Sequence, residues 1–163
     1  MNLLLFRHGK STSQVPAGGS DDDRALTPAG RADFVLAARV WSRVAPWPDL
    51  LLTSPLLRAR QTVDVLVEAL GGRVAQEVAE ELRPEADVAD ALACFPEVET
   101  LCVVTHMPLI GELTCRLLAG TDRGMVSLTT GAGIWLELRT GLHSRDSKLV
   151  AALSTGAAKR LIG

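Results

Sequence analysis

The chain predicts an α/β domain, a three-layer α/β/α sandwich around a mostly parallel sheet, and three observations carry that expectation. Residues 2–6, 49–53 and 100–105 are short, continuous apolar runs, the pattern of strands buried on both faces as in parallel sheets. Each is followed by a segment with the apolar spacing of a helix, and strands alternating with helices build parallel sheets. The composition, 163 residues with 47% apolar and 22% charged, is that of one globular domain spanning 1–163. A chain this long buries about 68–70% of its unfolded surface, enough to stand without a disulfide or structural metal.

The elements follow in order. The first strand stops at Arg7-His8-Gly9, and residues 10–25, with Pro16, Gly18, Gly19 and Asp21-Asp22-Asp23, form a long surface loop of the kind that often carries function. Thr27-Pro28 opens a helix as N-cap and first-turn proline. Its stripe is Phe34, Ala37, Ala38, Trp41 and Ala45, and Pro46 and Pro48 end it. Ser54-Pro55 after the second strand reads as another cap and first-turn pair, opening a helix with the stripe Leu56, Ala59, Val63, Leu66 and Leu70, closed by Gly71-Gly72. A short strand is expected within 73–80 and a helix within 85–95, between Pro84 and Pro96. After the third apolar run come His106, Pro108 and a helix on Leu109, Leu113 and Leu117, then a late antiparallel pair at 131–138 and 148–154.

Several function classes are disfavoured. A net charge of -2 from 17 basic and 19 acidic residues lacks the basic excess of a nucleic-acid-binding domain, and 4% aromatics with no Tyr leaves few stacking platforms for single strands. The first apolar run is too short for a signal peptide, and no stretch approaches the ~20 apolar residues of a membrane span, so a cytoplasmic protein is expected. Cys94, Cys102 and Cys115 form no CxxC pair and lie in apolar stretches, reading as reduced, buried thiols. Together with His8, His106 and His143 they make no zinc-ligand spacing, so neither metal nor cofactor is expected.

In open α/β sheets, ligands bind beyond the carboxyl ends of the strands. After the first strand come Arg7 and His8, after the second Ser54 and, one helical turn on, Arg58, and after the third His106. Two arginines suit a phosphoryl group, because the planar guanidinium binds it in bidentate fashion and stays charged. Neighbouring positive charge keeps an imidazole neutral and nucleophilic. His8 is the stronger nucleophile candidate, since it ends its strand beside Gly9, where a backbone can approach a ligand closely. His106 would then bond the transferring oxygens and, if protonated, add positive charge.

These residues resemble the motifs of the histidine phosphatase superfamily. Leu5-Phe6-Arg7-His8-Gly9 is similar to its Arg-His-Gly signature, and Leu26-Thr27-Pro28-Ala29-Gly30 to its Leu-Thr-x-x-Gly helix start. Ser54-Pro55-Leu56-Leu57-Arg58-Ala59-Arg60-Gln61-Thr62 is similar to its second arginine motif, and Val104-Thr105-His106 to the segment carrying its second histidine. With the short length and Thr105-His106-Met107-Pro108-Leu109-Ile110-Gly111, the resemblance is greatest to the compact SixA-type phosphohistidine phosphatases. It implies a phosphoglycerate mutase-like fold and a metal-independent phosphatase. It also implies a covalent phosphohistidine at His8, with Arg7, Arg58 and His106 completing the phosphate pocket. Larger members carry a carboxylic general acid in the region of Glu80-Glu81-Leu82-Arg83-Pro84-Glu85. Pro84 falls near that acid's position, leaving Glu81 or Glu85 as substitutes.

Three functions follow for comparison: hydrolysis of phosphohistidine on a protein, hydrolysis of a small phosphorylated metabolite, and non-catalytic binding of a phospho-ligand. The last would tolerate loss of His8, Arg58 or His106, yet all are present. Ser54 doubles as a helix cap. Asp21-Asp22-Asp23 reads as a solvated loop, or as a rim favouring basic surroundings on a substrate. His143, in a turn, is expected to be incidental, and Trp41, Trp47 and Trp135 to serve packing.

Overall fold

The computed structural model describes residues 1–121, 126–142 and 146–162, which leaves His143 outside the described residues. The three apolar runs lie side by side in one six-stranded sheet. β1 (Asn2–Arg7) pairs in parallel with β4 (Thr100–Thr105), β4 with β2 (Leu50–Thr53), and β2 with the short β3 (Ala75–Val78). β5 (Gly133–Leu138) runs antiparallel to β1, and β6 (Ser147–Leu153) antiparallel to β5. The order is β3-β2-β4-β1-β5-β6, a mostly parallel sheet extended by the late antiparallel pair.

Alternation along β1 divides the interior in two. Leu4 and Phe6 face one side, with Phe34 and Trp41 of α1 (Pro28–Val44) and Ala59, Val63 and Leu66 of α2 (Leu57–Ala69). Leu3 and Leu5 face the other, with Ala91 and Leu92 of α3 (Val88–Ala93) and Leu109, Leu113 and Leu117 of α4 (Leu109–Ala119). A period of two on the strands and helical stripes on both faces produce the expected three layers. Each fully buried Leu or Phe contributes roughly 1.5–3 kcal/mol.

Strand register positions what comes next. Arg7 lies opposite Thr105 and Thr53 opposite Val104, so β1, β2 and β4 end almost level. Two further backbone bonds, His8 N–H to the Thr105 carbonyl at 3.0 Å and Ser54 N–H to that of Val104 at 3.1 Å, hold the first residues beyond the strands in the same row.

Helix starts show where local signals hold and where they yield. Thr27 caps α1, its hydroxyl accepting from Gly30 N–H at 2.9 Å. Gly30 sits against the Lys10 carbonyl, where a Cβ would have no room, so the helix can dock directly on the loop leaving β1. The Ser54-Pro55 expectation is overturned: α2 begins at Leu57, and Leu56, at its N-cap, makes no side-chain capping bond. Ser54 is drawn elsewhere, as described below. α5 (Thr155–Ile162), which packs on α1 and is tied to it by Lys159 and Asp33 at 2.6 Å, has no counterpart in the sequence reading. Its eight residues bury only Ala158, too short a stripe for periodicity to announce. Two packing expectations also change: Trp47 is 55% exposed, and Cys94 is only half-buried, whereas Trp41, Cys102 and Cys115 are buried. No helix among the described residues is long and apolar enough to cross a membrane.

Candidate active site

Arg7, His8, Arg58 and His106 meet at one cleft of about 360 Å³ over the carboxyl ends of β1, β2 and β4. The cleft is also lined by Lys10, Ser11, Asp21, Arg24, Pro84, Met107 and Thr130. The two imidazoles stand 4.9 Å apart between ring centres and are inclined by 49°.

Hydrogen bonds define the state of each ring. His8 Nδ1 lies 2.7 Å from the Gly9 carbonyl oxygen, which can only accept, so Nδ1 carries the hydrogen. Nε2 of the neutral ring is left with its lone pair free. Burial, reinforced by Arg58 and Arg7 against the opposing pull of the Gly9 bond, lowers the His8 pKa to about 4, so the ring is a base at neutral pH. His106 Nε2 lies 2.8 Å from Ser54 Oγ. That oxygen also accepts from Leu56 N–H at 3.4 Å, and its own hydrogen points to Nε2 in the arrangement that uses every group. His106 then carries its proton on Nδ1, a buried nitrogen with no partner. Burial, with help from His8 and Arg58, depresses its pKa to about 2. Burial among positive neighbours thus favours the neutral His106 ring.

The arginines supply the charge. Arg7 is held by a bond from Nη1 to the Leu128 carbonyl at 2.5 Å. Arg58 is 97% buried and donates from Nη1 to the Asp21 carbonyl at 2.8 Å and from Nη2 to Asp21 Oδ2 at 2.9 Å. Arg7 Nε, Arg58 Nε and His106 Nδ1 are all buried without a hydrogen-bond partner. Orphaned buried donors are rare and costly, and three on residues that line one cleft make a donor set suited to an oxyanion. Among the described residues no group of His, Cys, Asp and Glu is arranged to hold a metal.

Sequence reasoning missed several contributors. Thr62, fully buried on α2, accepts from Gly9 N–H at 3.0 Å and donates to the Arg58 carbonyl at 2.7 Å, clamping the two arginine motifs together. Gln61 Oε1 accepts from Leu26 N–H at 2.7 Å. The acidic loop is not simply solvated: Ser20–Arg24 folds over the cleft in a 3₁₀ turn, Asp21–Asp23. Asp21 pairs with Arg24 at 2.7 Å and with Arg58, while Asp22 pairs with Arg83 at 2.9 Å. Pro84 lines the cleft, but neither carboxylate offered as a substitute acid does. Glu81 is exposed beside Cys94, and Glu85 lines a separate hollow with Glu112. For Glu81 the reason is local: the 3₁₀ turn Glu80–Leu82 buries Leu82 in the core and leaves Glu80 and Glu81 exposed.

Comparison with known proteins agrees with this architecture. Residues 3–91 match the model of the histidine phosphatase superfamily, branch 1. An uncharacterized protein of Picosynechococcus sp. is 35% identical over 146 residues, 86% of each chain. The phosphohistidine phosphatase SixA of Escherichia coli is 29% identical over 142 residues, 84% of this chain and 86% of that protein. A solved structure of the protein histidine phosphatase SixA with tungstate superposes with a TM-score of 0.80 at 29% identity, covering 96% of this chain and 98% of the other. The chain belongs to branch 1 of the histidine phosphatase superfamily and is a hydrolase.

Proposed function

We propose that this chain is a cytoplasmic phosphohistidine phosphatase acting on phosphorylated protein, with His8 as nucleophile and Arg7, Arg58 and His106 as the phosphate-holding groups. His8 Nε2 attacks phosphorus, the P–N bond of the substrate breaks, and its electron pair returns to the departing imidazole nitrogen. Water then attacks phospho-His8, the new P–N bond breaks with its electron pair returning to Nε2, and both protons of the water leave with inorganic phosphate as dihydrogen phosphate. The two guanidiniums and the His106 Nδ1–H meet the charge on the phosphoryl oxygens in both steps.

The observation that carries the substrate class is the proton inventory of the cleft. Among the described residues its one carboxylate is Asp21, and the Arg24 and Arg58 guanidiniums hold that carboxyl below the usual range. It is ionised at neutral pH and has no proton to give. An alkyl phosphate expels an alkoxide-like oxygen, and lacking a positioned acid costs roughly 10²–10⁴-fold. An imidazole leaving group, with a pKa of about 6.5, brings its own proton. The kinship with SixA, named a phosphohistidine phosphatase in Escherichia coli, supports the same reading.

The test is kcat/KM on a phosphohistidine peptide, a phosphoserine peptide and phosphoglycerate, repeated with Glu81→Gln and Glu85→Gln. Preference for phosphohistidine by two orders of magnitude or more is expected, unaffected by either substitution. If a plain alkyl phosphate is turned over best and one glutamine variant loses that activity selectively, the enzyme is a metabolite phosphatase instead.

A further inference from the structure

The acidic turn over the cleft has a use that the phosphate pocket does not explain. Asp21 Oδ1 accepts from Arg24 Nε and Oδ2 from Arg58 Nη2, at 2.7 and 2.9 Å. A carboxylate has about four acceptor positions, so roughly half its capacity remains, and its side chain is 57% exposed at the cleft. Asp22 is turned away onto Arg83, and Asp23 bonds Ser20 N–H at 2.8 Å and its hydroxyl. Asp21 alone of the three presents negative charge to whatever is attached to the bound phosphoryl group. In a cleft that also holds Arg7, Lys10, Arg24 and Arg58, an anion at this place weakens phosphate binding unless it gains something from the rest of the substrate.

We propose that Asp21 is a specificity-determining residue that recognises a protonated nitrogen leaving group, accepting a hydrogen bond from the distal N–H of a phosphorylated imidazolium. The inference rests on the phosphohistidine reading and deepens it. In the phosphorylated imidazolium one ring nitrogen bears phosphorus and the other bears hydrogen, with the positive charge shared between them. The Asp21 carboxylate favours that charged form over the neutral one, as an opposite charge at close range does. When His8 Nε2 attacks and the P–N bond breaks, the electron pair neutralises the departing ring, which keeps its distal hydrogen and leaves as neutral imidazole. The positive charge passes to phospho-His8, whose Nδ1–H stays on the Gly9 carbonyl. No proton needs to be delivered during transfer. The same carboxylate repels substrates carrying a second anion beside the phosphate, such as phosphoglycerate.

Other charges face Asp21 and bear on its titration. Arg24 lies on its own turn, Arg58 comes from α2, and Lys10, Arg7, His8 and His106 stand on the floor and walls of the cleft. The Arg24 and Arg58 guanidiniums hold the Asp21 carboxyl below its usual range, so it stays ionised throughout the range in which the substrate ring titrates.

The experiment compares wild type, Asp21→Asn, Asp21→Glu and the control Asp22→Asn on a phosphohistidine peptide and on p-nitrophenyl phosphate, whose leaving group carries no proton for Asp21. Asp21→Asn is expected to lower the ratio of kcat/KM for phosphohistidine to that for the aryl phosphate by at least tenfold. Asp21→Glu restores part of the ratio, and Asp22→Asn leaves it where it was. A purely structural role in holding Arg58 would depress both substrates together and leave the ratio intact, overturning the proposal. pH adds a second readout: in wild type the alkaline limb of kcat on phosphohistidine lies about one unit above that of kcat/KM, because the bound ring is held protonated, and Asp21→Asn closes the gap. Coincident limbs in wild type would also overturn it. Wild-type enzyme inactive on phosphohistidine but active on the aryl phosphate would instead reject the underlying substrate reading.

Discussion

Ser54 Oγ stands 2.8 Å from Nε2 of His106, both groups buried, and this contact makes a residue that looks like a helix cap into the keeper of a tautomer. With the hydroxyl hydrogen directed to Nε2, the His106 proton is assigned to Nδ1, a buried nitrogen without a partner. Ser54→Ala removes the donor and leaves Nε2 buried and unpaired, a loss of about 1–3 kcal/mol. The expected result is a fall in kcat on the order of tenfold or more, with the fold intact by circular dichroism. Nitrogen chemical shifts of the His106 ring, read in wild type and variant, check the assignment directly: a proton that resides on Nε2 in the wild type contradicts it.

The neutrality of both rings has a consequence for stability. Their folded-state pKa values, about 4 for His8 and about 2 for His106, lie below the ordinary value of 6.5, so on acidification the unfolded chain takes up protons before the folded one does. Stability from the neutral rings is fully present above about pH 6.5 and is lost as the pH falls, through about 4 for His8 and on toward 2 for His106. Urea midpoints measured between pH 7.5 and 4.5 should decline toward the acid side. In His8→Gln the decline should be shallower, and an unchanged slope would remove His8 from the explanation.

His8, Arg58 and His106 were legible because each follows an unmistakable apolar run, directly or within one helical turn, and level strand ends turn separate sequence positions into one site. Thr27 was legible as a cap for a local reason, since its partner Gly30 is three residues away. Ser54 was misread for the opposite reason: its preferred partner, His106, is 52 residues distant, and cap statistics know nothing of it. Asp21 lay in a Gly- and Pro-containing loop without periodicity, and its role depends on Arg58 meeting it across the cleft. The missing helix α5 and the outward Glu81 and Glu85 were decided by packing against distant elements, which no window on the chain reports.

Thr62 offers a test of how the two arginine motifs are joined. Its hydroxyl both receives the Gly9 N–H and donates to the Arg58 carbonyl, at full burial. Thr62→Val keeps the shape but orphans a buried N–H next to His8. A stability loss of about 1–3 kcal/mol by urea denaturation is expected, with a drop in kcat beyond what the remaining folded fraction accounts for. Stability lost with full kcat would make the clamp purely structural.

Gly30 tests the docking of α1 on the loop that follows β1. A Cβ there meets the Lys10 backbone carbonyl and carbon, which are tied to Thr27 N–H at 2.9 Å and cannot move aside without breaking the start of the helix. Gly30→Ala, normally favourable within a helix, should here destabilise by about 1–3 kcal/mol. Thermal denaturation decides the sign, and a more stable Gly30→Ala protein would show that the loop is free to shift.

The covalent step is the most direct prediction of the site. His8 holds the cleft's best-placed lone pair, on Nε2, because its other nitrogen is committed to Gly9. During turnover of a phosphohistidine peptide, rapid quench in base should trap phosphate on His8 that is released on acidification. His8→Ala should abolish both the trapped phosphate and turnover. Arg58→Ala should keep the nucleophile but lose about 3 kcal/mol of transition-state stabilisation, on the order of 10²-fold in kcat, as removal of one oxyanion donor does elsewhere. Vanadate, a mimic of five-coordinate phosphorus, should inhibit the wild type far more strongly than Arg58→Ala. Trapped phosphate on His106 instead of His8 would reverse the two assignments, and would require the Ser54 contact to hold the proton on Nε2 rather than donate to it.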